Sequence, residues 1–274
     1  MTTPEAEIRY AELDPFSILH QFGKDNQSVL GNNGLIWTKA ASEGGYAGPD
    51  GKLKPELQVD YDTHIAPFLE QIRGAARAMM GTVPEDIRQP FLDSLESFDL
   101  WDYFAELLRD PVFYSLAMVD DQLRGMLRSR INIPTRERVP IDLPERRVIG
   151  LPNKPHIGPV CYMSWAYVHP SLEGRGVMTE LYNLAERQLS RFRFLDTPVV
   201  EGDPRFDPKI ACDMHPRQST YAQMREFVEK RGFELQGNFL PDDIEKQPTL
   251  RDLEVWARPV TITSPLEAEN TLLG

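Results

Sequence analysis

The chain is poor in several features whose scarcity narrows what it can be. Only two cysteines, Cys161 and Cys212, occur in 274 residues. Both fall in apolar stretches that read as strands, where a small buried thiol packs well. No Cys/His spacing of a zinc site is present, so no metal is expected, and the thiols read as those of a reduced, cytoplasmic protein. No apolar run reaches the ~18 residues that a membrane-spanning helix needs. The N-terminus lacks the basic-then-apolar order of a secretory signal. Positive charge is also short: 30 Lys/Arg stand against 42 Asp/Glu, a net charge of −12. Nucleic-acid partners need a basic surface, so that class is set aside. The deficit is concentrated in residues 1–100, with 8 Lys/Arg against 16 Asp/Glu. Such a region either attracts a cationic amine through its field or is a solvated surface.

The length suits one large domain or a domain with an insertion, and the 41% hydrophobic content supplies a core. The most informative stretch runs from Ser164 to Glu186. A β-branched and aromatic strand enters a short turn holding Gly174 and Gly176, and a helix begins at once. Val177, Leu181, Leu184, Ala185, Leu189 and Phe192 recur at three- and four-residue spacing, which predicts one buried stripe, with Glu180 and Glu186 off it. The first N–H groups of a helix have no partner within it, and the peptide dipoles make that end partly positive. Two glycines there let backbone approach an anion closely. A turn that binds nothing fits the two glycines equally well. Neither a third glycine in the dinucleotide register nor a Gly-Lys-Ser/Thr ending is present.

With its flanks, the turn resembles motif A of the Gcn5-related N-acetyltransferase (GNAT) superfamily, a strand followed by Gln/Arg-x-x-Gly-x-Gly/Ala and a helix. The register is Glu173-Gly174-Arg175-Gly176-Val177-Met178, with Glu173 in place of Gln/Arg and Met178 in place of Gly/Ala. The run Gly-Arg-Gly-Val-Met-Thr-Glu-Leu is similar to the branch that acetylates ribosomal-protein N-termini. Downstream, Phe227-Val-Glu-Lys-Arg-Gly-Phe233 is similar to the family's helix ending, with Gly232 at a left-handed terminus.

The rest of the chain can be ordered around these motifs. Ile8–Leu13 predicts an opening strand and Phe16–Phe22 a short helix. Val112–Val119, Asp120-Asp121 and Gln122–Ile133 predict a β-hairpin. Between them, Asn26–Glu56 reads as loop around an apolar island at Gly34–Trp37, with Ser42–Gly51 its mobile part. Ile65, Phe68, Leu69, Ile72, Ala75, Ala76, Met79 and Met80 predict a helix with a core face. Further helices are predicted from Pro84 and over Leu100–Leu108, and residues 134–157 as a hairpin or loop. Arg124, Arg128 and Arg130 share parity on one strand, facing solvent and acidic helices or gripping an anion. A helix carrying Tyr221, Met224, Phe227 and Val228 on its buried side, capped by Ser219 or Thr220, precedes Gly232. Phe233, Leu235, Gly237 and Phe239 then alternate as a strand, and Leu253, Val255 and Ala257 as the last.

The resemblance covers most of residues 6–260. It implies an α/β fold with a mixed, mostly antiparallel central sheet flanked by helices, the acyl-CoA N-acyltransferase fold. Residues 1–260 form that domain, 24–100 a loop and helical insertion on the acceptor side, and 261–274 a tail. It further implies acetyl-CoA as co-substrate and a primary amine of a small molecule or peptide as acceptor, a homodimer being left open. Backbone at Tyr167 and Val168 would meet the pantetheine arm. Glu173, Gly174, Arg175, Gly176, Val177, Met178 and Thr179 would take the pyrophosphate. The register gives Ser164 or Trp165 where many members carry a carboxylate, and Val228 where many carry an acidic tyrosine. Tyr221 and His215, the latter beside Asp213, are the catalytic candidates by location, and His169-Pro170 is read as structural. The alternative is a catalytically silent member that binds CoA or a partner through its insertion.

Overall fold

The structure is a computed structural model that describes residues 7–13, 45–49, 52–97, 112–132, 160–191, 209–239, 241–246 and 251–260. The expectations for Phe16–Phe22, Gly34–Trp37, Leu100–Leu108 and residues 134–157 lie outside these. Strand β1 (Arg9–Leu13) is followed by α1 (Pro55–Asp60), a π turn (Tyr61–Ile65), α2 (Ala66–Met80) and α3 (Glu85–Ser97). Then come β2 (Val112–Val119), β3 (Gln122–Asn132), β4 (Val160–Val168), α4 (Val177–Arg191) and β5 (Lys209–Met214). The chain continues through α5 (Tyr221–Glu229), β6 (Glu234–Asn238), α6 (Pro241–Lys246) and β7 (Glu254–Pro259). The strands form one seven-stranded sheet in the order β1-β2-β3-β4-β5-β7-β6. β4 and β5 run parallel, whereas β1–β2, β5–β7 and β6–β7 are antiparallel. The mixed, mostly antiparallel α/β class expected from the sequence is therefore the fold observed. Two compact units can be distinguished, and β3, β4 and α4 each supply residues to both.

The first unit holds the described residues within Met1–Met80, Leu92–Arg128 and Trp165–Leu184. In it, β2 is buried from Val112 to Met118, as the apolar run of a central strand requires. The β2–β3 turn places Asp120 at φ 49° and Asp121 at φ 58°. Those values belong to a two-residue turn whose twist matches the strands, and Asp tolerates this region better than most residues. Arg9 bonds Asp121 at 2.8 Å, an exposed pair of little energetic weight. Leu57, Tyr61, Ile65, Phe68, Leu69, Ile72 and Ala75 pack with Val112, Tyr114, Leu116, Leu123 and Met126. At ~1.5–3 kcal/mol for each large apolar side chain removed from water, this face is the main stabilising contact of the unit. The predicted helical face is thus a core face, although Met79 is only half-buried.

The π turn was not foreseen. Pro67 has no N–H and its ring would strike the carbonyl four residues back in a regular helix. Widening the preceding turn relieves that clash, and Ala66 N–H reaches back to Tyr61 O in the π pattern. The described part of Ser42–Gly51 makes a small bridge, Ala47 to Leu53, and Tyr46 packs against the core. Pro84 lies just ahead of α3 rather than in its first turn, its carbonyl accepting from Arg88 N–H at 2.9 Å.

The second unit holds the described residues within Gly81–Phe91, Ser129–Ser164 and Ala185–Gly274. Its parallel ladder pairs Val160 with Lys209 through Met163 with Cys212 and goes no further, although β4 continues to Val168. Cys161 and Cys212 are buried free thiols, as expected. Helix α5 ends on Gly232 at φ 77°, with Gly232 N–H bonded to Glu229 O and Phe233 N–H to Val228 O. This is the paired arrangement of a left-handed helix terminus, and it accounts for the Gly-Phe ending. Of the four residues predicted to be buried on α5, Val228 is buried and Tyr221, Met224 and Phe227 are half-buried. Thr220 holds the cap position without a side-chain cap bond. The alternation through β6 fails at Leu235, which is 50% exposed. A register shift between Leu235 and Gly237, with Gly237 at φ 135°, turns it outward; a bulge breaks the two-residue period.

One glycine sets the approach of α4 in the first unit. A Cβ on Gly125 would stand 3.1 Å from Ala117 Cβ and Val177 Cγ1, and 3.3 Å from Leu181 Cδ1. Gly125→Val is therefore expected to cost about 1–3 kcal/mol by overpacking, read as a lower urea midpoint. An unchanged midpoint would show that the helix has room to retreat.

Candidate functional site

In the first unit, β4 delivers the chain into the glycine turn through a short 3-10 segment, Pro170–Leu172. His169 precedes it. Its ring Nδ1 accepts from Ser171 N–H at 3.2 Å and lies 2.8 Å from Ser171 Oγ. Its own N–H donates to Arg124 O at 2.7 Å. The ring is thus engaged in shaping the turn, as the sequence reading held. Glu173 N–H then bonds Pro170 O and Arg175 N–H bonds Leu172 O, each at 3.2 Å.

Gly174 and Gly176 take φ of 74° and 73°, a region that costs other residues ~1 kcal/mol or more. Nothing lies within 4 Å of where their Cβ atoms would stand. A side chain on Gly125 would be tightly packed, whereas at these two positions it would stand in open space. Both are exposed, as is Glu173, whereas Arg175, Met178 and Thr179 are half-buried and Val177 is buried. The first bond of α4 runs from Glu180 N–H to Gly176 O at 3.2 Å, so the N–H groups of the first turn precede the helical ladder. Burial pushes the Tyr10 phenol of β1 up, the Glu180 charge adding and the Arg175 charge opposing. Both side chains therefore act on β1 from the ends of this turn.

The arginines of β3 sit differently from the solvent-facing arrangement expected. Arg124, Arg128 and Arg130 are half-buried, and the Arg128 guanidinium lies 5.1 Å from the centre of the Trp165 ring, within cation–π range. Tyr114 is fully buried and its phenol is pushed up to about 12, with Arg128 opposing. Burial also raises the Tyr167 phenol, against the charge of Arg124.

Tyr221 and His215 lie in the second unit, where their side chains take separate partners. His215 follows β5 and is 2% exposed. Its Nδ1 accepts from Arg217 N–H at 3.0 Å, so the neutral ring carries its proton on Nε2. That Nε2 has no hydrogen-bond partner among the described residues. Burial, and then the Arg217 charge, hold the imidazole below its ordinary 6.5, with Asp252 and Asp86 opposing. Arg217 in turn pairs with Asp86 at 3.0 Å, and Ser219 N–H bonds Thr82 O at 2.9 Å. Tyr221 donates to Glu254 Oε2 at 2.6 Å. Burial, followed by that bond and the Glu254 charge, raises the phenol, so Tyr221 is a protonated donor at neutral pH. Sequence reasoning missed Glu254. The alternation of β7 set Glu254 and Trp256 on one face, but nothing along the chain signalled that Tyr221 would reach them.

Among the described residues no group of three or more His, Cys, Asp or Glu could hold a metal, and no helix is long and apolar enough to cross a membrane. A pH test follows from His215. The unfolded chain binds its proton first as pH falls through about 6.5, so stability is full above that pH and declines below it. The urea midpoint of the parent should fall further between about pH 7.5 and about pH 5.5 than that of His215→Gln. Equal declines would show that His215 stays free to ionise.

No curated protein matches this chain in sequence. Among solved structures, an aminoglycoside N-acetyltransferase, AAC(6')-Iy, in complex with CoA is 14% identical, over 88% of this chain and 96% of that one, with a TM-score of 0.39. A PaiA N-acetyltransferase from Thermoplasma acidophilum in complex with coenzyme A is 12% identical, over 70% and 92%, at 0.42. A NatC complex bound to Gag peptide and CoA is 12% identical, over 70% and 90%, at 0.38. Residues 81–201, which contain β4, the glycine turn and α4, match the family model described as acetyltransferase (GNAT) family. That stretch is what this chain shares with the GNAT acetyltransferase family.

Proposed function

We propose that the chain is an acyl-CoA-dependent N-acyltransferase that moves an acetyl group from acetyl-CoA to a primary amine of a small molecule or peptide. The observation that carries this reading is the open, left-handed pair Gly174 and Gly176 at the start of α4, inside the matched region. The cradle suits a diphosphate. Two missing side chains leave space, and the N–H groups of Gly174, Gly176, Val177 and Met178 would donate to phosphate oxygens at the positive end of the helix. Glu173, exposed at the rim, would remain in solvent. Tyr167 and Val168 extend beyond the last β4–β5 pair, so their backbone would take the amides of the pantetheine arm. Acetyl-CoA supplies the activated acyl group and the leaving thiol.

A lysine-like amine loses its proton at a cost of ~4–5 kcal/mol at pH 7. Tyr221, kept protonated by burial and Glu254, is suited to donate a proton and unsuited to take one. His215, neutral with its proton on Nε2, can orient a partner as a hydrogen-bond donor but has no proton to give up at neutral pH. Positioning supplies much of the remaining barrier reduction, up to ~7–11 kcal/mol. One observation favours a silent binder instead: Val228, at the register of the family's acidic tyrosine, is an apolar side chain buried at 1% exposure.

Calorimetry with acetyl-CoA should give saturable binding, and absence of heat at millimolar ligand would sink the proposal. Gly176→Leu should weaken that binding at least about ten-fold with an unchanged circular dichroism spectrum. Unchanged affinity would place the ligand elsewhere. Thiol release across a panel of amines separates an enzyme from a silent binder. Tyr221→Phe should lower kcat about a hundred-fold and leave acetyl-CoA affinity unchanged; wild-type kcat would exclude Tyr221 from proton transfer.

A further inference from the structure

One side chain organises the turn between β5 and α5. His215 is buried. Its Nδ1 accepts from Arg217 N–H and its carbonyl from Gln218 N–H, each at 3.0 Å. Tyr221 N–H then bonds Gln218 O at 3.1 Å, so the same turn sets where α5 begins. The turn also grips the residues that lead into α3. Ser219 N–H bonds Thr82 O at 2.9 Å, and the Arg217 guanidinium meets both Asp86 oxygens, at 3.0 and 3.3 Å. Between those two contacts the Arg88 guanidinium folds back onto Val83 O at 2.8 and 3.2 Å, which fixes the corner. All of these residues belong to the second unit. The exposed Arg217–Asp86 pair carries little energy by itself, so the attachment leans on the main-chain bond and the buried ring.

We propose that His215 is the pin of an acid-released clasp that holds the entrance to α3 on the β5–α5 turn. The geometry admits one protonation state. Nδ1 receives a hydrogen bond, so it cannot carry a proton while Arg217 N–H points at it. An imidazolium has two donors and no acceptor, and it would have to leave that N–H and take the turn with it. Nε2 has no hydrogen-bond partner among the described residues, so nothing at that end compensates a charged ring. Arg217 of the same turn opposes protonation, whereas Asp252 ahead of β7 and Asp86 of α3 favour it. Asp213 stands two residues earlier on β5, and Tyr221 of α5 and Glu254 of β7 are bonded to each other. Protonation thus removes an acceptor from the turn and sets a second positive charge beside Arg217. In the open form the ring meets water and ionises near the ordinary 6.5. The clasp is therefore shut above that pH and loosens as pH falls below it.

The test is amide hydrogen exchange on the full chain, with the Ser219 N–H reporting the bond to Thr82. Its protection factor should fall about ten-fold between about pH 7.5 and about pH 5.5. In His215→Asn, whose Oδ1 keeps an acceptor for Arg217 N–H without titrating, it should stay level over that range. Urea below the unfolding transition should leave the Ser219 protection factor unchanged while lowering that of Ala211 in β5, as a local opening requires. An equal fall in the variant, no fall in the parent, or a urea dependence equal to that of Ala211 would overturn the proposal. The parent alone gives a further check. Long-range 1H–15N spectra at about pH 7.5 should show the His215 ring protonated on Nε2, and a proton on Nδ1 would overturn the clasp.

Discussion

Close packing of α4 on β2 and β3 is the constraint on which the candidate cofactor turn depends. A side chain at Gly125 would crowd Ala117, Val177 and Leu181, which converge there. Val177 is the first residue of α4, so that contact pins the start of the helix. The turn immediately before it is then free to be shaped by conformation alone. Gly174 and Gly176 face open space and adopt a backbone that other residues enter at a cost. A rigid anchor and an unobstructed turn are what an anion cradle needs, since donors must be fixed without side chains in the way.

The second unit handles its polar groups differently. Asp86, His215 and Tyr221, around the end of β5, each have a specific partner. Its bond to Arg217 lowers the Asp86 carboxyl below its ordinary value. His215 is locked in one tautomer by a main-chain N–H, and Tyr221 is committed to Glu254. Burial favours the neutral forms of His215 and Tyr221. At neutral pH both therefore present a hydrogen-bond donor.

The elements that could be read from the sequence were those specified by neighbours along the chain. The β2–β3 hairpin announced itself through two acidic turn residues between apolar runs. The glycine turn and the end of α5 at Gly232 announced themselves through glycines that only a left-handed backbone requires. Failures came where distant or finer causes acted. Periodicity began the helix at Ile65 and gave no sign of the π turn that leads up to Pro67. A bulge at Gly237 sent Leu235 to the surface. Arg128 met Trp165 across neighbouring strands instead of the solvent that strand parity suggested.

By itself the sequence determined the order of the described strands and of the longer helices, though not α1 or α6, and the place of the glycine turn, because periodicity, turn chemistry and helix termini are local properties. It also determined that the cysteines are buried, since they lie within apolar strands. Only the tertiary structure decided which side chains meet. Gly125 under α4, the orphaned Nε2 of His215, and the bond from Tyr221 to Glu254 all join residues far apart in the chain or depend on burial. Burial and partnership are set by packing, and packing in turn sets which groups hold protons.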